Sequence, residues 1–271
     1  MNIGRHLRYN DPADPYWANV SLLLRADGVN GATYGSVTDV SPLAATLTRF
    51  GSSSGVTKGP FSTTGSIFCA GGGNLSHFTV PHNAAFNFGT SDFTLEAFFW
   101  PMFSQGNSGF FGKRLNDSSY SPFLFGLTGS ALYLLSSSSG GNWEINSSGG
   151  TCNYGAWNHA ALVRSGSAIN GWLNGTRVIN VGAINPMNNT SPIALGDYHT
   201  AGAQYCFPGY LSNMRIVSGA AVYTPGTTIT VPTAPLTAVA GTALLVNAAP
   251  SIIDETGKFP LATVGTAQLS T

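Results

Sequence analysis

Apolar and polar residues alternate with a period of two along much of this chain. The run Phe93-Thr-Leu-Glu-Ala-Phe-Phe-Trp100 shows it most fully. Phe93, Leu95, Ala97 and Phe99 face one way; Thr94, Glu96, Phe98 and Trp100 face the other. Aromatics fall on both sides, which predicts a central strand covered on both faces, with Trp100 and the later Trp157 in the core. Shorter runs at Ser21 to Arg25, Ser66 to Cys69, Pro122 to Leu127, Ala131 to Leu135 and Ala160 to Arg164 are separated by Gly, Ser, Asn or Pro clusters. Turn signals recurring roughly every eight to twelve residues predict a sandwich or barrel. No segment combines a cap with sustained helical periodicity.

One hairpin is specified by its turn. Trp157 to Arg164 leads through Ser165-Gly166-Ser167 into Ala168 to Leu173, and Thr176 to Asn180 returns. Between the last two, Asn174-Gly175 supplies the positive-φ pair of a type I′ turn. Pro225, Pro232 and Pro235 predict the exit from the domain, because proline cannot continue a central strand. Beyond it, Ala243 to Val246, Ile252 to Lys258 and Leu261 to Val264 loosely repeat the opening pattern of Leu22 to Arg25, Val37 to Ser41 and Ala45 to Thr48. Residues 242–271 then read as the first hairpin of a second unit, which must pack on its own domain or on a neighbour. The predicted organisation is an N-terminal arm (1–18), a β domain (19–235) and a C-terminal extension (236–271).

Composition narrows the partners. Hydrophobic residues make up 43% of the chain and charged residues only 8%, eleven basic against eleven acidic. No field exists to attract nucleic acid or an anionic membrane. So little charge protects poorly against self-association, which suits a component buried among neighbours and, equally, a neutral-surfaced adhesin. The first residues lack an apolar signal core and no run is long enough to span a bilayer, so synthesis in a cytoplasm without membrane insertion is expected. Cys69, Cys152 and Cys206 are odd in number and widely spaced. They form neither a disulfide framework nor a zinc motif, and read as small apolar residues of the sheet.

Three ordered segments resemble the laminin-G-like, concanavalin-like jelly rolls that recur in phage virion proteins. They are Phe78 to Glu96; Trp157 to Gly166 with the Leu173-Asn-Gly175 turn; and Ile193 to Gly196 followed by Phe207 to Val217 and Ala221 to Thr224. The resemblance covers roughly residues 20–235 and implies an all-β, two-sheet antiparallel jelly-roll sandwich. It does not imply one function, since the fold hosts lectins, glycosidases, adhesion modules and virion parts.

Candidate chemistry is sparse. The glucanases of this fold carry an E-x-D-x-x-E strand, and retaining hydrolysis needs carboxyls about 5 Å apart. Here Glu96, Glu144 and Glu255 are the only glutamates, and none sits in that pattern. His77, His82, His159 and His199 read as ordinary hydrogen-bonded residues, and no metal site is expected from them. Some laminin-G-like domains hold calcium, which would here fall to Asp27, Asp92, Asp117 and Asp197; no two share a short loop, so no cofactor is assigned. Sugar binding would use Trp143, Trp172, Tyr198 and Tyr205, since aromatic faces stack on pyranose rings. The alternative for the two tryptophans is the core.

The expected function is a non-enzymatic phage virion structural protein, decorating the capsid as cement or associated with the tail. It would be a homo-oligomer, bound to major capsid or tail proteins and located in the virion after synthesis in the host cytoplasm. The alternative is a carbohydrate-binding receptor or adhesion module, as in a tail fibre or a lectin-like protein recognising surface glycans.

Overall fold

The computed structural model describes residues 23–27, 36–39, 48–51, 54–56, 59–61, 65–72, 76–199 and 205–246. They form two sheets. The ten-stranded sheet runs β14 (Thr176–Gly182), β13 (Ala168–Leu173), β12 (Asn158–Ser165), β7 (Phe93–Pro101), β16 (Cys206–Ser218), β17 (Thr242–Val246), β1 (Leu23–Asp27) and β2 (Ser36–Asp39). Beside β16 also lies β5 (Ser66–Gly72), which carries β4 (Ser54–Val56) on its other edge. The seven-stranded sheet runs β11 (Ile145–Gly149), β10 (Ala131–Ser136), β9 (Leu124–Thr128), β8 (Asn107–Gly112), β15 (Ile193–Leu195), β6 (Ser76–Val80) and β3 (Thr48–Gly51). Between these strands every ladder is antiparallel except β1 beside β17. A single 3-10 turn, Ala84–Phe86, is the only helical element among the described residues. This is the predicted all-β jelly-roll sandwich.

The two-residue period explains the core. Phe93, Leu95, Ala97 and Phe99 of β7 point between the sheets, beside Leu162 of β12 and Ile216 of β16. They meet Phe78, Phe110, Phe125, Leu132, Leu134 and Leu195 from the other sheet. Ring contacts knit the layers, with centroids 4.6 Å apart for Phe99 and Phe110 and 5.5 Å for Phe110 and Phe207. The hairpin forms as its turn dictates, with Asn174 at φ 49° and Gly175 at φ 85°. Trp100 and Trp157 depart from expectation. Both are half-buried and meet edge to face at 5.8 Å, outside the central core.

The strand β16 organises the larger sheet. Its first half pairs with β5 and its second half with β17, and the change of neighbour falls at an irregularity between Ser212 and Arg215. Asn213 stands there at φ 47°, a conformation asparagine tolerates better than most residues. Its Oδ1 accepts a hydrogen bond from Leu236 N at 3.0 Å.

The prolines mark a return rather than an exit. Residues 219–241 run back over the outer face of the ten-stranded sheet as a strap, and the chain then adds β17 to that sheet. The predicted extension thus begins, within the described residues, by packing on its own domain. The predicted arm (1–18) and residues 247–271 lie outside the described residues. Among the described residues, no helix is long and apolar enough to cross a membrane.

Candidate functional site

On the seven-stranded sheet the alternation divides the residues between two faces. Leu132 and Leu134 of β10 and Phe125 of β9 enter the core. Tyr133, Leu135 and Leu124 point the other way and found a separate cluster on the outer face. Tyr198, 1% exposed, completes its floor, and the half-buried Trp143 and Tyr205 pack on it. Three of the four sugar-binding candidates therefore converge. Trp143 comes from the β10–β11 loop, Tyr198 from the turn after β15, and Tyr205 from the turn just before β16.

Two local features place them. The Asp197–Tyr198 backbone lies directly over β8, where a Cβ at Gly112 would collide with the Tyr198 carbonyl and one at Gly109 would lie 2.5 Å from the Asp197 carbonyl oxygen. Only glycine at both positions lets the turn approach. The loop bearing Trp143 is tied by Glu144. Its carboxylate accepts from Ser139 Oγ at 2.7 Å and from Ser138 N at 3.0 Å. These bonds hold the exposed carboxyl down at about 2.

Polar groups join the aromatics from the β8–β9 loop. The Arg114 guanidinium lies over the Trp143 ring, 5.4 Å from its centroid, and Tyr120 meets the same ring edge-on at 5.0 Å. Arg114 donates to Ser119 O, Asp117 O (2.6 Å), Asp117 Oδ1 (3.3 Å) and His199 Nε2 (2.9 Å). His199 Nε2 thus faces both the Arg114 guanidinium and, at 3.1 Å, Asp117 Oδ1. Burial lowers His199 to about 4 against the pull of Asp117, and Arg114 lowers it further. The Asp117 carboxylate also receives the Tyr205 hydroxyl. Tyr205 lies tilted against Tyr198 at 5.7 Å and meets His199 edge-on at 4.8 Å. The result is a platform of half-buried rings with a fixed set of donors and acceptors at its rim. Sequence reading missed Arg114 and Tyr120, whose loop spacing carries no periodic signal, and Tyr133, which the alternation of β10 turns outward.

Trp172 lies elsewhere. It is wholly buried under the strap, among Ala161, Val163, Ala221, Tyr223 and Ile229, and donates from Nε1 to Gly226 O at 3.2 Å. The same outer face holds a buried ionic network. Glu96 pairs with Arg215, whose Nε donates at 2.7 Å, and accepts from the Tyr223 hydroxyl at 2.7 Å, with His159 Nε2 at 3.4 Å. Burial pushes Glu96 up, but the His159 hydrogen bond and the Arg215 charge outweigh it and hold the carboxyl below its ordinary value. Glu96 is thus sealed beneath the strap, while Glu144 stands in a loop of the opposite sheet. Glu255 lies outside the described residues. Of the four aspartates, Asp27 closes β1, Asp92 accepts from Gly166 N at 2.7 Å, Asp117 joins the patch and Asp197 is buried.

The architecture is that of a concanavalin-type sandwich. The family described as the concanavalin A-like lectin/glucanases superfamily matches residues 72–222, and the chain belongs to it. No curated protein matches the chain. Among solved structures, the binding domain of Paraclostridial Mosquitocidal Protein 1 is 16% identical, with a TM-score of 0.51 over 74% of this chain and 48% of its own. The binding domain of Botulinum Neurotoxin DC in complex with SialylT is 13% identical, with a TM-score of 0.51 over 73% and 47%. A structure of botulinum neurotoxin type C, whose cell entry depends on two ganglioside molecules, is 12% identical, with a TM-score of 0.50 over 73% and 48%. The chain spans about half the length of each, and likeness at such identity establishes the common fold alone.

Proposed function

We propose that the chain is a non-enzymatic carbohydrate-binding domain whose site is the outer face of the seven-stranded sheet. Trp143 and Tyr205 supply the stacking rings, Tyr120 and Tyr133 widen the platform, and Tyr198 supports it from below. Arg114 and Asp117 engage hydroxyl or acidic groups of the sugar. The observation that carries this reading is convergence: half-buried aromatics from separate loops meet on one solvent-facing surface beside polar groups already fixed in orientation. Apolar platforms with a few oriented polar groups are what small-molecule sites require, and Trp, Tyr and Arg are the residues that dominate binding energies. The botulinum neurotoxin structures of the same fold, one in complex with SialylT and one of a toxin whose cell entry depends on two ganglioside molecules, support the class of ligand.

The test is a glycan array probed with the full chain, followed by calorimetry on the best ligand. Trp143→Ala is expected to weaken binding by more than about tenfold with the melting temperature nearly unchanged. A chain that binds no glycan, or a Trp143→Ala, Tyr205→Ala double variant that binds as tightly as the parent, would overturn the reading.

A second reading is favoured by the charged fraction of 8%, against about 25% in an ordinary soluble domain. In it the domain is a homo-oligomeric phage virion subunit of capsid or tail, attached through segments 1–18 and 247–271 and displaying the glycan site outward. Sedimentation of the full chain beside a chain lacking residues 1–18 and 247–271 tests it. A closed oligomer reduced to a folded monomer supports the subunit, and two identical monomers oppose it.

A further inference from the structure

Three residues far apart in sequence meet in the interior. His77 lies in the middle of β6, Asp197 follows β15, and Cys206 opens β16. Each is 0% exposed. His77 Nδ1 is 3.5 Å from Asp197 Oδ2, and the Cys206 thiol donates to the same oxygen at 2.8 Å. One ligand atom from each residue lies within 4.8 Å of the other two. The carboxylate is aimed: its Oδ1 accepts from His199 N at 3.0 Å, which leaves Oδ2 facing the imidazole and the thiol.

A second cysteine stands beside the group. Gly196 has φ 91°, and a Cβ there would fall 2.5 Å from Cys69 Sγ. Glycine at 196 therefore satisfies the backbone and also makes room for the Cys69 sulfur next to Asp197. Cys69 and Cys206 belong to neighbouring strands of the ten-stranded sheet, whereas His77 belongs to the other sheet and Asp197 to the turn that follows its strand β15.

We propose that His77, Asp197 and Cys206 form a structural site for a divalent transition metal of the zinc type. Thiol and imidazole select a borderline-soft ion over calcium or magnesium, which take oxygen ligands. Charge balances in the buried setting: one carboxylate, one thiolate and one neutral imidazole offset a dication. Binding replaces the thiol proton, which is released to solvent, with a metal–sulfur bond; no electron moves. A closed site of this kind is structural, because it leaves no route for substrate. It would staple one sheet to the other directly beneath the Tyr198–His199 turn. The inference is independent of what the patch binds.

Because the site is sealed, metal must enter as the chain folds. The full chain is therefore refolded from denaturant with Co²⁺, and the absorption spectrum is recorded. One equivalent per chain is expected, with tetrahedral ligand-field bands and a thiolate-to-cobalt charge-transfer band, both removed by Zn²⁺. Cys206→Ser is expected to abolish the charge-transfer band. Asp197→Asn, which keeps the shape of the side chain, should weaken the metal by more than about tenfold. Cys152→Ser, away from the cluster, should change neither. Should Cys206→Ser fail to refold, Asp197→Asn and the wild-type stoichiometry decide. A refolded wild type with a featureless cobalt spectrum, or a charge-transfer band retained in Cys206→Ser, overturns the site.

Discussion

The two outer faces of the sandwich begin from similar chemistry and end in opposite conditions. Each carries tryptophan, tyrosine, histidine, arginine and a carboxylate. On the ten-stranded sheet these are Trp172, Tyr223, His159, Arg215 and Glu96, and residues 219–241 of the same chain cover them. On the seven-stranded sheet they are Trp143, Tyr205, His199, Arg114 and Asp117, with no strap of this chain over them among the described residues. Residue type alone does not distinguish a binding platform from a second core. The distinction lies in whether the chain provides its own cover, and the strap is that cover: Arg215 donates to Thr237 O at 2.6 Å and Trp172 to Gly226 O at 3.2 Å.

The largest effects are therefore expected under the strap. Glu96→Ala leaves Arg215 buried without its partner, and about 3–5 kcal/mol of stability should be lost in urea titration. Trp172→Ala should cost a similar amount, about 3–5 kcal/mol, through the cavity it opens. Trp143→Ala on the open face should cost about 1 kcal/mol or less. The comparison breaks if Trp143 proves as costly as Trp172. Acid sharpens it. Glu96 titrates lower in the folded than in the unfolded chain, so the unfolded chain binds more protons in acid. Its contribution is present above its ordinary value of 4.5 and is lost as the pH falls through its lower folded value. Near-UV circular dichroism of the Trp172–Tyr223 region should report the loosening.

Much of the fold was legible because alternation and turn chemistry are local. The β7 pattern, the Asn174-Gly175 turn and the order of the three family segments all hold. The status of the two tryptophans was not legible, for a physical reason. Alternation in Ala168 to Leu173 places Trp172 on the face opposite Ile169 and Leu173, which reads as outward. What buries it is Tyr223 and Ile229, more than fifty residues later, and no local pattern announces them. Convergence of Trp143, Tyr198 and Tyr205 has the same character. It depends on Gly109 and Gly112 admitting a turn from a distant strand, and the glycines read as ordinary loop punctuation. The grouping of His77, Asp197 and Cys206 was invisible because ligand motifs are sought at short spacing, whereas these residues span two sheets.

A smaller effect concerns the loop that presents Trp143. Glu144→Gln keeps the volume but weakens the bonds to Ser138 and Ser139. Glycan affinity should fall a few-fold, by about 1 kcal/mol at most, with stability unchanged. An effect as large as that of Trp143→Ala would mean that Glu144 touches the ligand itself.

The smallest expected effect is an absence of pH dependence at the open face. Arg114 is a cation throughout, Glu144 is held at about 2 and His199 at about 4. None of these groups changes charge between about pH 5 and about pH 8, the window in which an ordinary histidine titrates. Glycan affinity measured by calorimetry across that window should therefore be flat, whereas acid below it charges His199 between Arg114 and Asp117 and disturbs the rim. An affinity that instead falls or rises near pH 6.5 would show that His199 is released from Arg114 in solution, and that the polar rim of the platform is rearranged by the ligand rather than fixed in advance.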